Sequence, residues 1–266
     1  MQNKVNNSYA LITGGTSGIG YELAKLFAKD GYHLILVART TLDLERVKEE
    51  ITSLYNVQVT TISKDLFKPE AAKEVYEEVK SMGIRVDVLV NDAGQGVYGL
   101  FVEEDIHRQL DIIRLNIDSL VVLTYYFLKE MVARNEGKIL NLASVVSDVP
   151  APLQAVYGGT KAFVKSFTSA LISEYKPTNI TITALQPGAT DTDFFNKAGG
   201  EESKINDPKL LDDPAEVALT GYKALMDGDA SVVHGMKNKI QNVMSNILPD
   251  TVNADMLKKQ TEPKKK

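Results

Sequence analysis

Tyr157 and Lys161 stand four residues apart in Tyr157-Gly158-Gly159-Thr160-Lys161, at the start of a segment continuing Phe163-Val164-Phe167-Leu171. That apolar spacing is helical, and residues i and i+4 share a helix face, so phenol and ammonium are expected side by side. An ordinary tyrosine, with a pKa of about 10, is a poor base near neutral pH. A neighbouring cation favours the phenolate and lowers that value, which suits the pair to moving a proton. Alone, a Tyr-x-x-x-Lys pair is a weak signal, because surface lysines often lie near half-buried tyrosines. Ser144 adds weight to it. This residue directly follows the apolar run GKILNLA (137–143), and its hydroxyl could hold a substrate oxygen beside the phenol.

A second constellation is rich in glycine. The run YALIT (9–13) leads straight into Thr13-Gly14-Gly15-Thr16-Ser17-Gly18-Ile19-Gly20, and a helical pattern follows. Glycines let the backbone turn sharply there and let a phosphate approach the free N–H groups at the helix start, where the dipole also favours an anion. Placement between a first strand and a first helix turns a weak pattern into an expected dinucleotide site. The next apolar run ends Val37-Ala38-Arg39-Thr40, with no acid until Asp43. A carboxylate at that point would accept a ribose 2′-hydroxyl; Arg39 offers a fork suited to a 2′-phosphate, so NADP(H) is expected over NAD(H).

The elements that must position these groups alternate along the chain. The remaining apolar runs are HLILVA (33–38), VQVTTI (57–62), VDVLV (86–90), ITITALQ (180–186) and the weaker SVVHG (231–235). Runs this apolar suit strands buried on both faces, and segments of helical spacing lie between them. Pro69 and Pro214 sit where prolines open helices. Repeated strand–helix–strand order predicts an α/β fold: one Rossmann-like, doubly wound parallel sheet of about seven strands with helices on both faces. A single domain over 1–257 is expected, with 188–212 as a mobile excursion carrying Phe194 and Phe195, at the place where the family resemblance given below implies a substrate lid. Residues 258–266 read as a disordered, Lys-rich tail.

Composition excludes several functions. The 266 residues carry a net charge of −5, and residues 258–266 hold five lysines against Glu262, so the rest of the chain is near −9. An acidic body disfavours nucleic acid as a partner. There is no cysteine, hence no thiolate nucleophile or Cys metal site, and three scattered histidines make no metal site. The absence of an apolar leader or an 18-residue apolar stretch points to a soluble, cytoplasmic protein without a membrane span. The terminal lysines read as a solvated tail.

Together these motifs resemble the short-chain dehydrogenase/reductase family, from about Tyr9 to Ile240. Thr13 to Gly20 reproduces that family's cofactor turn, and its catalytic Ser, Tyr and Lys map onto Ser144, Tyr157 and Lys161. The resemblance implies an active-site Asn at Asn116, within Leu115-Asn116-Ile117, holding a water that links Lys161 to solvent. Asp65-Leu66 corresponds to the family's adenine-contacting pair. Asn91-Asp92-Ala93-Gly94 corresponds to its Asn-Asn-Ala-Gly, with Asp92 a departure of modest expected consequence. Pro187-Gly188 matches the motif that closes over the nicotinamide, with Thr192 in the usual Thr position and Thr190 where an aliphatic residue is frequent.

The resemblance implies an NADP(H)-dependent carbonyl reductase in which Ser144 and Tyr157 hold the substrate oxygen, Tyr157 gives the proton, and Lys161 binds the ribose and lowers the Tyr157 pKa. Val145, Val146, Pro150, Leu153 and Tyr98 are the expected walls of an apolar pocket for a small-molecule carbonyl or alcohol. Apolar stripes on helices 103–133 and 155–175 imply a homodimer or homotetramer. A non-catalytic NADP(H) sensor and an NAD(H)-preferring alcohol dehydrogenase remain as alternatives.

Overall fold

In β1 (Tyr9–Thr13) successive side chains point to opposite faces, and both faces are covered. Ala10 and Ile12 belong to one buried cluster with Leu23, Ala24 and Phe27, while Leu11 belongs to another with Val75, Leu123 and Phe127. A strand enclosed this way carries no polar alternation, because neither face meets water. The computed structural model describes residues 8–245 and 247–264.

Six further strands follow: β2 (His33–Ala38), β3 (Val59–Ser63), β4 (Val86–Asn91), β5 (Gly137–Leu142), β6 (Ile180–Gln186) and β7 (Ser231–Val233). They pair in parallel in the order β3-β2-β1-β4-β5-β6-β7. The register sets Leu11 beside Ile35 and Leu89, and Ile12 beside Leu36 and Val90, so each face becomes an apolar layer. Helices α1 (Gly18–Lys29) and α2 (Thr41–Leu54) join β1 to β2 and β2 to β3, and α3 (Ala71–Ser81) leads to β4. The fold is thus the expected doubly wound Rossmann-like sheet. Strand order reverses between β1 and β4, which opens a crevice at their carboxyl ends.

The helix that approaches β5 runs as α4 (Ile106–Ile113), one π-helical turn over Arg114–Asp118, and α5 (Ser119–Arg134). It begins three residues later than the expected 103, because Asp105 takes the cap and its carboxylate accepts the His107 N–H at 2.9 Å. A short 3₁₀ turn over Val145–Asp148 separates β5 from α6 (Ala155–Glu174). After β6 come α7 (Phe194–Ala198) and α8 (Pro214–Asp227); α9 (Met236–Ser245) and α10 (Asp250–Thr261) follow β7. Pro214 opens α8 behind its cap Asp213, whereas Pro69 lies in the turn ahead of α3 rather than inside the helix.

The expectation of a disordered tail from 258 needs correction. Helix α10 runs to Thr261, which is buried, and the Thr261 carbonyl accepts the hydroxyl groups of Tyr98 (2.5 Å) and Ser203 (2.7 Å). An antiparallel bridge joins Ser203 to Pro263, and the Lys264 N–H donates to the Glu202 carbonyl at 2.8 Å. Lysine content pointed to solvent, but the buried side chains Leu257 and Thr261 decide the position of the backbone between those lysines. Lys265 and Lys266 lie outside the described residues. In the expected lid, α7 is held by the Tyr98 N–H donating to the Ala198 carbonyl, and Thr190 bridges Asp212.

Candidate active site

At the end of β1 the Thr13 hydroxyl oxygen accepts the backbone N–H groups of Asp92 (3.2 Å) and Ala93 (3.1 Å). One side chain therefore ties the turn after β4 to the glycine turn after β1. Gly14 and Gly18 have φ of 72° and 56°, a left-handed conformation that side chains disfavour. No acidic residue of α1 itself stands in its first turn, so the N–H groups of Gly18 and Ile19 and the helix dipole face the crevice, while the Gly20 N–H is taken by Asp92. Gly20 is required for space, since a Cβ there would lie 2.4 Å from a carboxylate oxygen of Asp92 and 2.6 Å from the Gly14 carbonyl oxygen. It lets helix and turn approach each other.

Asp92 has more consequence than its similarity to Asn suggested. Its carboxylate is wedged beneath the glycine turn and accepts the Gly20 N–H; burial pushes its pKa up to about 7, against the pull of Lys161. Lys161 is in turn lowered by burial to about 8, with Asp92 opposing that shift. Acid and amine form a charge pair behind the cofactor turn. Asn91 points away from the crevice. Its amide donates to Thr124 Oγ1 (3.1 Å) and Asn141 Oδ1 (2.8 Å), and the Asn141 amide donates to Thr168 Oγ1 (3.0 Å), a buried chain joining the sheet to α5 and α6.

Ser144 leaves β5 extended and caps the 3₁₀ turn: its N–H donates to Ser147 Oγ (3.1 Å), and Ser147 Oγ donates to the Lys161 carbonyl (2.9 Å). The start of α6 is thereby fixed against the end of β5, Ser144 Oγ donates to the Pro187 carbonyl at 3.4 Å, and the Ser144 side chain acts on the Tyr157 phenol. Burial pushes Tyr157 up to about 12, with the Ser144 side chain opposing that shift. The expected lowering by Lys161 is not found. The ammonium donates to the Leu142 carbonyl at 2.7 Å, is drawn electrostatically to Asp92, and lies 5.9 Å from the phenol ring centre.

Asn116 sits in the π-helical turn, a local widening that turns its amide inward. That amide donates to the Gln95 carbonyl and to Thr160 Oγ1, both at 2.9 Å, and its oxygen accepts the Gln95 N–H at 3.1 Å. Its Oδ1 and Lys161 Nζ would each lie 3.4 Å from a Cβ placed on Gly94, so both groups border that glycine.

A cavity of about 920 Å³ runs the length of this edge. Gly14, Thr16, Ser17, Gly18, Ile19, Arg39, Leu66, Ala93, Gly94, Ser144, Tyr157, Lys161, Pro187, Gly188, Thr190 and Thr192 all line it, as the sequence leads one to expect. Gly20, Asp65, Asn91 and Asn116 do not line its wall. Gly20, Asn91 and Asn116 shape it from behind, while Asp65 Oδ1 accepts the Phe67 N–H at 3.3 Å. Of the expected substrate walls, Val145 and Val146 are present and Pro150, Leu153 and Tyr98 are not. Leu153 instead adopts a left-handed φ of 66° and accepts the Gly99 N–H at 2.8 Å.

The short chain dehydrogenase family model matches residues 8–203. The chain belongs to this family. A very-long-chain 3-oxoacyl-CoA reductase of Laccaria bicolor is 38% identical over 179 residues, covering 66% of this chain and 52% of that protein. The mouse (Mus musculus) very-long-chain 3-oxoacyl-CoA reductase is 30% identical over 248 residues, covering 89% of this chain and 75% of that one. The chain thus spans between about half and three quarters of the length of these relatives. Among solved structures, a short-chain dehydrogenase from Sphingobium yanoikuyae in complex with NADPH superimposes with a TM-score of 0.80 at 28% identity, covering 91% of this chain and 96% of that chain. As a family member the chain is an oxidoreductase.

Several site residues carried no sequence signal. Arg46 and Lys64 join Arg39 at one end of the cavity, and Arg46 donates to the Thr16 carbonyl at 3.3 Å. The guanidinium groups of Arg39 and Arg108 lie 5.2 and 5.1 Å from the ring centre of Phe67. Arg46 and Arg108 come from α2 and α4, while Arg39 follows β2 and Lys64 and Phe67 follow β3, and only the parallel sheet brings them together. At the other end Phe194 faces Tyr157 with ring centres 5.0 Å apart, and Gly96 leaves room for it.

Proposed function

We propose that this oxidoreductase is an NADP(H)-dependent carbonyl reductase with Tyr157 as its proton donor. The observation that carries the reading is one cavity lined by both Ser144 and Tyr157 and by the cationic group at Arg39. The residues fit a dinucleotide: the N–H groups ahead of Gly20 at the start of α1 for a pyrophosphate, and Arg39, Arg46 and Lys64 for a 2′-phosphate. The Sphingobium structure, which contains NADPH, supports the same assignment. When bound, NADPH would supply the hydride. Ser144 and Tyr157 would donate hydrogen bonds to the substrate carbonyl oxygen, and the phenol, protonated near neutral pH, would deliver its proton as negative charge develops there. Lys161 and Asn116 would hold the ribose side and the proton path.

The walls near Tyr157, including Val145, Val146, Phe194 and Leu257, suit a substrate with an apolar body. The names of the two relatives make 3-oxoacyl thioesters the first class to assay. A cytoplasmic homodimer or homotetramer completes the proposal.

The test is NADPH oxidation followed at 340 nm against 3-oxoacyl thioesters, ketones and aldehydes, beside Tyr157→Phe. Loss of the general acid is expected to lower turnover by about 10²–10⁴-fold while NADPH binding persists. Tight NADPH binding without turnover on any carbonyl would favour the sensor reading instead.

A further inference from the structure

Helix α9 is amphipathic in the inverted sense. Its polar side faces the protein: Asn238 donates to Asp212 Oδ2 (3.0 Å) and to the His234 carbonyl (2.9 Å), Asn242 bonds Asp148, and Ser245 is buried. Its apolar side faces outward. Met236, Ile240, Val243 and Met244 are between 50% and 71% exposed, and Ile247, one turn further on, is 77% exposed. A helix on a soluble protein ordinarily does the opposite. Helix α10 is mixed: it buries Leu257 along with Asn253 and Thr261, and exposes Val252 and Met256 (41% and 45%) beside Lys258 and Lys259.

Charge separates the possible occupants of this face. Residues 236–264 hold five lysines (237, 239, 258, 259 and 264), all exposed, against three acids, on a chain whose net charge is −5. A two-fold contact between copies would bring two faces of net positive charge together, with no charge complementarity between them. An anionic lipid surface is complementary to both parts: acyl chains for the apolar stripe and headgroups for the lysines. No helix among the described residues is long and apolar enough to cross a membrane, so the contact is interfacial.

We propose that α9 and α10 dock the protein on an anionic membrane surface. The location matters for access, because Lys237, Asn238 and Gln241 on the inner edge of α9, and Leu257 on α10, line the cavity. Docking therefore sets the cavity mouth at the headgroup level, where an apolar molecule can pass from lipid to protein without crossing water.

The experiment is flotation of the full chain with vesicles of phosphatidylglycerol and phosphatidylcholine, with pure phosphatidylcholine vesicles as reference. Binding is expected to the anionic vesicles, and to weaken at least tenfold in Ile240→Ser/Val243→Ser/Ile247→Ser and in Lys239→Glu/Lys258→Glu/Lys259→Glu. None of these residues lines the cavity, and an unchanged melting curve establishes that each variant is folded. No binding by the parent chain, or equal binding by the folded variants, overturns the proposal. So does sedimentation showing that the apolar triple variant splits an oligomer while vesicle binding is unchanged. Vesicle binding needs no substrate, so failure of the reductase assay leaves this result readable.

Discussion

Replacing Asp92 by Asn tests the charge pair behind the cofactor turn directly. Asn keeps the shape and an acceptor for the Gly20 N–H but carries no titratable proton. In the folded chain Asp92 is raised from 3.8 to about 7. Its folded pKa lies above its unfolded value, so between those values the folded state binds the proton that the unfolded state has released. Stability therefore falls as pH rises through this window, and the full penalty stands above pH 7. Converted at the free-energy equivalent of a pKa unit, the penalty grows from roughly 2 kcal/mol at pH 5 to roughly 4 kcal/mol at pH 7.5.

The variant abolishes that slope. It also removes the attraction that favours the charged form of Lys161, whose pKa is about 8, and this gives back part of the gain near pH 7.5. Asp92→Asn is thus expected to be the more stable protein at pH 7.5, and its advantage over the parent should widen by about 2 kcal/mol between pH 5 and 7.5. Urea unfolding of both proteins at the two pH values measures the gap as a difference in midpoints at constant slope. A constant gap across the range, or a variant less stable than the parent at pH 7.5, would refute the reasoning. Either result would mean that Asp92 is ionised at little cost under the glycine turn.

Arg39→Asp should weaken NADPH binding by about 10–100-fold, the range for a lost charge-assisted contact, with little loss for NADH; calorimetry on both cofactors checks this, and equal losses would remove Arg39 from the 2′-phosphate site. Gly20→Ala places a methyl group 2.4 Å from the Asp92 carboxylate and 2.6 Å from the Gly14 carbonyl oxygen. Overpacking of this kind should cost about 1–3 kcal/mol in urea unfolding and weaken NADPH binding, because the turn itself must shift. Thr168→Val leaves the buried Asn141 amide without its acceptor, and a loss of about 1–3 kcal/mol in the same assay is expected, with cofactor affinity little changed.

Legibility of the site divides along a physical line. Residues whose role follows from their own backbone were readable: Gly14 and Gly18 by their turn, Tyr157 and Lys161 by helical spacing, Ser144 by its place after a strand. Residues recruited from elsewhere were not. Arg46 and Lys64 reach the cavity because α2 follows β2 and Lys64 follows β3, which lies beside β2 in the sheet, and no local pattern announces such a meeting. The same limit explains the tail. Lysines near the terminus read as solvated, yet the intervening Leu257 and Thr261 pack inward, so a helix can show its charge outside and still be fixed. Composition reports what a segment exposes, whereas its place is decided by the few side chains it buries.

The Lys161–Asp92 pair carries the same lesson into the chemistry. A Tyr-x-x-x-Lys motif read in isolation makes the ammonium the agent that lowers the phenol pKa. In the folded chain Lys161 donates to Leu142 and is drawn to Asp92, while burial holds Tyr157 high. The spacing of four residues places two groups on one helix face, but the electrostatics also depend on what faces that helix. Here the facing group is an acid supplied by the turn after β4, 65 residues before Tyr157 in the sequence. Neutralising Asp92 should therefore act mainly through Lys161 and the cofactor turn, because Asp92 is not among the groups that shift the phenol.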